Sequence, residues 1–453
     1  MEVLNKKVIV SGLGKSGIAA SEFLVSHGAV VYAYDNKEKN ENTVINKNIH
    51  CIYGQNPSGE EDCDFVVISP GIPSDLPFVI KFKARKIPVI SEVELAYRFA
   101  KGTFLGVTGT NGKTTTTTIL GEFLKASGFD TRVVGNIGNP VISEVESSTP
   151  DTFFVCELSS FQLENTDSLH LKAAGFLNLT ADHLNRHGSM ENYGKVKSRI
   201  FNNQTAEDFA VLNYNDPYLR KIYRDLKAEI IWIDAENEVS NGYFIKDGNI
   251  VLKKDGDTKV IMSRSDVALR GNHNMENVLT AMAIANSVGC DMDAVKTVLK
   301  KFKGVTHRME EVGEVNGAVY INDSKGTNPD ASVKALDAFH ENIVLIAGGM
   351  DKKVPFDNFI EAFNGKVRKL ILLGETKNII ATCAKTHGFN DIIFVSDMEE
   401  AVKEAHKNAV KGDIVLLSPA CASWDMYESF EVRGDDFKTR VRNLEGFKEI
   451  KSF

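Results

Sequence analysis

The chain has 453 residues, a formal net charge of −8 at pH 7, 43% hydrophobic residues and 25% charged residues. This length exceeds one ordinary hydrophobic core, so two or three domains are expected, and the composition is that of a folded protein. The negative charge argues against nucleic acid or an anionic membrane surface as a partner. No apolar run is long enough to span a membrane and no signal-peptide pattern is visible, so we expect a cytoplasmic protein without membrane insertion.

Short β-branched runs alternate with longer helix-like segments along almost the whole chain, from "KVIVSG" and "VVYAYD" to "KLILLGE" and "DIVLLSPA". Such alternation predicts parallel sheets flanked by helices. We therefore predict an α/β protein with three domains. These are an N-terminal Rossmann-like domain over residues 1–95, a central P-loop ATPase domain with a mostly parallel sheet over 96–304, and a C-terminal Rossmann-like domain over 305–453.

The first strand candidate ends in a glycine loop, Gly12-Leu13-Gly14-Lys15-Ser16-Gly17, and Asp35 closes the next apolar run. This pattern is typical of dinucleotide binding, with glycines for a tight turn and an acid for a ribose hydroxyl. Taken alone, it favours an NAD-dependent dehydrogenase. A second phosphate loop further along the chain makes that interpretation incomplete.

The second loop lies in "TFLGVTGTNGKTTTTTILGEFLKASG", which reads as a strand, a glycine-rich turn and a helix. Backbone N–H groups in such a turn form an anion cradle. Lys113 would then lie along the β- and γ-phosphates of ATP, and a hydroxyl of Thr114 or Thr115 would coordinate Mg²⁺. The strict P-loop pattern has glycine where this chain has Val107. The alternative, a Gly-Asn turn with a solvated lysine, leaves the five threonines at the start of a helix unexplained.

Candidate metal ligands follow the next strands. Glu157 ends the apolar run "TFFVCE", and "NLTADHLNRHG" places Asp182 and His183 after another run. Carboxylates at the carboxyl ends of parallel strands face the crevice where ligands bind, and oxygen ligands suit Mg²⁺. By spacing alone, the histidines fit a solvated loop and Lys197 a solvated helix face.

Six motifs occur in order: "GVTGTNGKTTT", "CELSSFQL", "NLTADHLNRHG", "GNHNMEN", "THRME" and "INDSKGTNPDA". With them the chain resembles the Mur ligase superfamily, the ATP-dependent amide-forming enzymes of peptidoglycan precursor synthesis, over essentially its full length. The segments "ISPGIP" and "LLSPACASWDMYESFEVRGDDF" are most similar to the D-glutamate-adding branch. The "DNPR" segment of the diaminopimelate-adding relatives is missing from the sequence.

The resemblance implies a reaction that joins D-glutamate to UDP-N-acetylmuramoyl-L-alanine through an acyl phosphate, with ATP and Mg²⁺. It also implies that the first glycine loop holds the uridine nucleotide of the substrate rather than NAD. Another Mur ligase, or a folylpolyglutamate synthetase adding a different amino acid, is the alternative within the class. A P-loop switch module without ligation chemistry is the alternative outside it. We expect a monomer whose third block closes onto the second to exclude water.

The resemblance also implies roles for individual residues. Those for the UDP-substrate are Gly14, Lys15, Ser16, Asp35, Asn36, Lys37, Ser69, Gly71, Asn136, Gly138, Ser159 and His183. Those for ATP are Gly109, Thr110, Asn111, Gly112, Lys113, Thr114, Thr115, Asn272, Asn277, Arg308 and Asp323. Those for Mg²⁺ are Thr114, Glu157, His183 and Lys197, with Lys197 carbamylated into a carboxylate-like ligand.

Catalytic roles fall to Lys113, His183, Lys197 and Lys325. The D-glutamate residues implied by the resemblance are Thr327, Lys352, Ser423 and Phe430. Two points stay open in this set. The assignment to Lys352 could belong to the adjacent Lys353, and Trp424 could serve either core packing or substrate contact.

Overall fold

The computed structural model describes residues 1–38, 46–269, 272–302, 304–339, 342–352 and 354–449; the side chains of Asn185, Asn272 and His273 lie outside this description. The chain forms two compact units, Met1–Phe302 and Lys303–Phe453, called here the first and second units. The three predicted domain ranges stay a prediction.

The first unit begins with a five-stranded sheet whose strands all run parallel, in the order β3-β2-β1-β4-β5. Its elements are β1 (Lys7–Ser11), α1 (Lys15–Ser26), β2 (Val30–Asp35), β3 (His50–Tyr53), β4 (Phe65–Ile68), α2 (Pro77–Ala84), β5 (Val89–Ser91) and α3 (Glu92–Phe99). After β1, strands β2 and β3 are added on one side of it, whereas β4 and β5 are added on its other side. This reversal creates a crevice at the carboxyl ends of β1 and β4, where open α/β sheets bind ligands.

A second, nine-stranded sheet fills the rest of the first unit, in the order β14-β13-β12-β11-β10-β9-β6-β8-β7. Its strands are β6 (Thr103–Thr108), β7 (Asp130–Gly135), β8 (Thr152–Glu157), β9 (Ala173–Phe176), β10 (Phe209–Asn213), β11 (Glu229–Asp234), β12 (Gly242–Lys246), β13 (Asn249–Lys254) and β14 (Asp257–Ser263). Strands β6 to β12 pair in parallel, whereas β12, β13 and β14 pair antiparallel. The sheet is therefore mostly parallel, as predicted.

Helices cover both faces of this sheet and bury its apolar side chains. They are α4 (Lys113–Ala126), α5 (Ser160–Leu163), α6 (Leu184–His187), α7 (Met190–Ser198), α8 (Leu219–Ile222), α9 (Asn272–Ser287) and α10 (Met292–Leu299). Short 3₁₀ turns lie at Val141–Glu144, Arg199–Phe201, Tyr223–Asp225 and Arg264–Asp266. Helices α4 and α9 share one core with the sheet through Ile119, Phe123, Val278 and Met282, all fully buried. This packing fixes the start of α4, and hence the second phosphate loop, against the sheet edge.

The second unit holds a seven-stranded sheet in the order β19-β18-β17-β20-β16-β15-β21. Its strands are β15 (Glu310–Val315), β16 (Ala318–Asn322), β17 (Ile343–Ala347), β18 (Val367–Leu372), β19 (Ile392–Phe394), β20 (Ile414–Leu417) and β21 (Phe447–Lys448). Its helices are α11 (Pro329–Asp337), α12 (Asp357–Glu361), α13 (Lys377–Thr386), α14 (Met398–Asn408) and α15 (Phe430–Arg442). Strands β16 to β20 pair in parallel, and β15 pairs antiparallel with both β16 and β21. The predicted α/β class is confirmed.

Among the described residues, no helix is both long enough and apolar enough to cross a membrane.

Candidate active site

A cavity of about 760 Å³ opens at the crevice of the first sheet. Its walls come from the glycine loop after β1, the segment after β2 and the loop after β4. Eight of the residues predicted to bind the UDP-substrate line it: Gly14, Lys15, Ser16, Asp35, Asn36, Lys37, Ser69 and Gly71. The structure therefore brings this predicted group together in one place.

Two glycines of this first loop, Gly12 and Gly17, lie too close to neighbouring atoms to carry a side chain. Gly12 has a φ of +91°, and a Cβ added there would lie 2.8 Å from the Cβ of Ser69. A Cβ on Gly17 would lie 1.8 Å from the carbonyl oxygen of Gly12. Helix α1 starts at Lys15. Its N-cap residue is Gly14, so no side chain at the cap accepts a hydrogen bond from the first turn of the helix. The start of this helix is consequently directed at the cavity as a backbone anion site.

Asp35 and Lys15 fix this loop in different ways. Asp35 Oδ2 accepts a hydrogen bond from the backbone N–H of Leu13 at 2.7 Å, and its Oδ1 accepts one from Lys37 N–H at 2.9 Å. Asp35 thus holds the glycine loop in addition to the ribose role that the sequence predicts. Lys15 Nζ donates to the carbonyl oxygen of Gly138 at 2.8 Å, which links the cavity to the predicted segment of Asn136 and Gly138.

The second phosphate loop is held against the segment after β9. The backbone N–H groups of Thr110 and Asn111 donate to the backbone oxygen and to Oδ1 of Asn178, each at 2.9 Å. Gly112 is the N-cap of α4 and has a φ of +86°. A Cβ there would lie 2.2 Å from Asn277 Oδ1. The loop therefore has a single backbone arrangement set by its neighbours, although Val107 replaces the usual glycine.

Two lysines converge on one atom of this loop. Lys113 Nζ and Lys197 Nζ both donate to the carbonyl oxygen of Gly109, at 2.9 and 2.8 Å. Lys197 is only 1% exposed, in contrast to the solvated helix lysine that spacing alone suggested. Burial and, second, the charge of Lys113 lower the pKa of Lys197 well below its usual value, against the opposing charges of Asp182 and Glu157. Burial at this position therefore favours the neutral, nucleophilic form of the Lys197 amine.

Glu157 ends β8 and is 1% exposed. Its Oε1 accepts a hydrogen bond from Asn136 Nδ2 at 2.7 Å. Its Oε2 is buried and has no hydrogen-bond partner among the described residues. A buried carboxylate oxygen without a donor is costly to ionise unless a cation meets it. This oxygen fits the predicted role of Glu157 as a metal ligand.

Ser159 and His183 lie on the segments that follow β8 and β9, at the starts of α5 and α6. His183 has a left-handed backbone (φ +52°) at the start of α6, and its Nε2 lies 3.4 Å from Asp182 Oδ2. Ser159 caps α5 in a reciprocal pair with Gln162. The neighbouring His187 is buried, with Nε2 3.0 Å from Ser160 Oγ, and burial lowers its pKa. The second histidine of the motif thus supports the loop from within.

The remaining predicted ATP residues of the first unit lie around the start of α4. Thr114 and Thr115 are buried in its first turn. Asn277 is buried, accepts a hydrogen bond from Thr116 Oγ1 at 3.3 Å and donates to Asn274 Oδ1 at 3.1 Å. The predicted Asn272 side chain lies outside the described residues.

Arg186 was missed by the sequence reasoning. It forms a two-point ion pair with Glu164, at 3.1 Å from Nε and 2.7 Å from Nη2, and Nη2 also donates to the carbonyl oxygen of Ile72 at 2.9 Å. Ser74 Oγ donates to the same Glu164 carboxylate at 2.8 Å. Arg186 therefore ties the loop after β4, which lines the cavity, to the segment that carries His183. Its place within "NLTADHLNRHG" was the only signal in the sequence.

The second unit carries the other predicted ATP residues. Asp323 follows β16 and is 3% exposed, and burial raises its pKa to about 6 despite the nearby Arg308 charge. Ser418 Oγ donates to Asp323 Oδ2 at 2.8 Å. Lys325 Nζ lies 5.5 Å from the centre of the Phe430 ring.

The predicted D-glutamate residues also lie in the second unit. Lys352 Nζ donates to the carbonyl oxygen of Thr327 at 3.2 Å and lies 5.9 Å from the Trp424 ring centre. Trp424 is 67% exposed, so its ring does not serve core packing. Ser423 is buried, and Phe430 is the first residue of α15. Lys353 lies outside the described residues.

Arg433 is a second residue that sequence reasoning missed. It is buried and donates from Nη1 to the carbonyl oxygen of Cys421 at 3.1 Å and from Nη2 to that of Ser324 at 2.8 Å. It therefore joins the segment before Ser423 to the segment before Lys325. Its place within "LLSPACASWDMYESFEVRGDDF" separates this arginine from Arg440 and Arg442 on the same helix.

Three family models match the chain in order. They are "Mur ligase MurD-like, N-terminal domain" over residues 6–91, "Mur ligase middle domain" over 107–285 and "Mur ligase, glutamate ligase domain" over 307–421. The chain belongs to the Mur ligase family, which confirms the resemblance seen in its motifs.

One similar relative is the UDP-N-acetylmuramoylalanine--D-glutamate ligase of Clostridioides difficile, 47% identical over 451 residues, which cover 98% of this chain and 100% of the relative. Among solved structures, the UDP-N-acetylmuramate-alanine ligase MurC of Thermotoga maritima is 20% identical with a TM-score of 0.60, covering 96% of this chain and 99% of that one. The MurF ligase of the same organism, solved with ADP, is 18% identical with a TM-score of 0.56, covering 97% and 96%. These two structures share the fold.

Proposed function

We propose that this protein is an ATP-dependent ligase that adds D-glutamate to UDP-N-acetylmuramoyl-L-alanine in peptidoglycan precursor synthesis. The observation that carries the proposal is the convergence of Lys113 and the buried Lys197 on the carbonyl oxygen of Gly109. A dehydrogenase or a simple nucleotide switch has no use for a second, buried amine at its phosphate loop. The full-length relative at 47% identity supports the choice of D-glutamate.

The chemistry follows from the weak reactivity of a carboxylate. The free carboxylate of the UDP-substrate attacks the γ-phosphorus of ATP, and the bond to the bridging oxygen breaks to release ADP. The resulting acyl phosphate is then attacked by the D-glutamate amine, which loses a proton as phosphate leaves. The protein's part is to align two anions and neutralise their charge. Lys113 supplies that charge at the second phosphate loop.

The residues present fit Mg²⁺. Glu157 offers a buried oxygen that receives no hydrogen bond from the residues the structure describes. Thr114 lies in the first turn after the second phosphate loop, and His183 lies on the segment after β9. In its neutral form, the amine of Lys197 would add CO₂ and release a proton to give a carbamate, whose oxygen atoms suit a hard cation. Bound there, the cation would offset the negative charge of the phosphates.

The UDP moiety is assigned to the first glycine loop. The cavity of about 760 Å³ has the volume of a small-molecule site, and the start of α1 offers backbone N–H groups to a diphosphate. We assign Arg308, Asp323 and Lys325 of the second unit to ATP and the acyl phosphate. Lys352, Thr327, Ser423 and Phe430 are assigned to D-glutamate, for which Lys352 supplies a cation. The proposal includes a monomer in the cytoplasm, which light scattering of the purified protein and cell fractionation would check.

The test measures ADP release by the purified protein with Mg-ATP and UDP-N-acetylmuramoyl-L-alanine. D-glutamate, L-glutamate, L-lysine and meso-diaminopimelate are offered in separate reactions. Turnover with D-glutamate only is expected. Turnover with another amino acid would keep the ligase and overturn the D-glutamate assignment, whereas intact ATP in all reactions would favour a nucleotide-binding module.

A further inference from the structure

A cluster of metal-ligating side chains lies in the second unit, apart from every residue assigned above. One ligand atom from each of Asp357, Cys383 and His387 lies within 4.8 Å of the others. Glu361 lies next to this cluster, with its Oε1 3.8 Å from His387 Nε2. Thiolate, imidazole and carboxylate together are the donors that zinc sites use.

The four residues form two pairs with helical spacing. Asp357 and Glu361 are the first and last residues of α12, and Cys383 and His387 lie four apart at the end of α13. Residues four apart lie on the same helix face, so each helix presents two ligands to the other. The two helices belong to one buried core that includes Phe359 and Ile380.

The orientation of the His387 ring suits a ligand. Its Nδ1 lies 2.9 Å from the carbonyl oxygen of Cys383, which can only accept a hydrogen bond. Nδ1 therefore carries the ring proton, and Nε2 presents its lone pair. A backbone carbonyl at the other ring nitrogen is the usual partner of a metal-bound histidine.

The spacing between ligand atoms also agrees with a tetrahedral cation. Bonds of about 2.0–2.3 Å place the ligands of a tetrahedral zinc ion about 3.3–3.8 Å apart. His387 Nε2 lies 3.7 Å from Asp357 Oδ1 and 3.8 Å from Glu361 Oε1. Cys383 is half-buried; its Sγ lies 3.9 Å from His387 Nδ1 and belongs to the same cluster of ligand atoms.

We propose that Asp357, Cys383 and His387, with Glu361 beside them, form a binding site for a divalent transition-metal ion that joins α12 to α13, and that Zn²⁺ is the ion these donors fit. Binding forms a bond from Cys383 Sγ to the metal while the thiol proton leaves to solvent. The site is structural, because none of its residues belongs to the proposed active site.

The test titrates Co²⁺ into the full-length, chelator-treated protein in the presence of excess Mg²⁺. A near-ultraviolet thiolate-to-cobalt absorption band that saturates at one ion per chain is expected, and Zn²⁺ should displace it. The band is specific, since no proposed Mg²⁺ ligand is a cysteine. Cys383→Ser should abolish it, His387→Gln should weaken Co²⁺ binding by about tenfold or more, and the half-buried Cys63→Ser should leave it unchanged.

Absence of the band in the wild type, or its survival in Cys383→Ser, would overturn the proposal. Circular dichroism of each variant checks folding. If Cys383→Ser does not fold, Asp357→Asn and His387→Gln report on the site in its place, and unchanged Co²⁺ affinity in both would overturn it as well.

Discussion

The two phosphate loops of the first unit share one design and differ in where their lysine goes. In each, a glycine is followed directly by a lysine that opens a helix: Gly14 with Lys15 at α1, and Gly112 with Lys113 at α4. Lys15 leaves its loop and reaches the carbonyl oxygen of Gly138. Lys113 folds back onto the carbonyl oxygens of Gly109 and Thr110.

The second loop also receives a second lysine from outside, because the buried Lys197 donates to the same carbonyl oxygen of Gly109. A backbone cradle with one peripheral lysine suits the holding of a diphosphate that stays intact. A cradle with two converging amines and the buried Glu157 suits a phosphate that is transferred. The difference teaches that the glycine pattern identifies phosphate binding, while the surrounding charges decide the chemistry.

The strongest test of this comparison replaces each loop lysine. Lys113→Ala is expected to lower kcat by about 10²–10³, because it removes a charge that the transferred phosphoryl group needs. Its affinity for the UDP-substrate should stay unchanged by calorimetry. Lys15→Ala, the matched control, should raise the KM for the UDP-substrate by about tenfold through the loss of one charged contact. Loss of UDP-substrate binding in Lys113→Ala would show that the two loops are not separate in function.

Lys197→Arg sharpens the contrast, because it keeps a long basic side chain that does not react with CO₂. An expected loss of about 10²-fold in kcat follows if the carbamate holds the metal. Wild-type turnover should fall in CO₂-free buffer and return with bicarbonate, and ¹³C NMR with labelled CO₂ should show a carbamate carbon that the variant lacks. Equal activity of wild type and variant in both buffers would reject the carbamate.

Arg186→Lys tests whether the loop after β4, which lines the cavity, depends on the segment that carries His183. A lysine cannot hold Glu164 at two points and also reach Ile72, so the loop beside the cavity loses its support. We expect the KM for the UDP-substrate to rise by about tenfold with the fold intact by circular dichroism. Arg98→Lys, which alters another arginine–glutamate pair of the first unit, serves as the control. An unchanged KM would mean that Arg186 has no part in positioning.

Glu92→Gln gives the smallest expected effect and concerns the contact between the two sheets. Glu92 opens α3, is 1% exposed and accepts a hydrogen bond from Ile142 N–H at 2.7 Å, and burial raises its pKa to about 7. Because the folded state holds this proton more tightly, its contribution to stability is full below about pH 4.5 and is lost as the pH rises through 7. The variant should therefore gain stability over the wild type between pH 5 and pH 8 in urea unfolding. A constant difference across that range would refute this pKa.

Local patterns predicted a large part of this molecule. Short segments of sequence were enough to predict both glycine loops, the strand that ends at Glu157 and the α/β class. The evidence in those segments is their hydrophobic periodicity, their glycines and their charged residues. The burial of Lys197 did not follow, because a lysine on a polar helix reads as solvated until the loop it meets is known. Arg186 contacts Ile72 across 114 residues of sequence, and only the packing of two sheets brings them together. The ligand roles of the individual residues stay predictions.

The crowded glycines of the two loops constrain how the protein can change. A single methyl group at Gly17 would overlap the Gly12 carbonyl oxygen at 1.8 Å, and one at Gly112 would overlap Asn277 at 2.2 Å. The Gly12 carbonyl group cannot move away from a methyl group at Gly17 without opening the turn that lines the cavity. We expect an inhibitor that contacts this bare backbone to meet few resistance mutations, because a side chain at Gly17 would also distort the proposed UDP-substrate site.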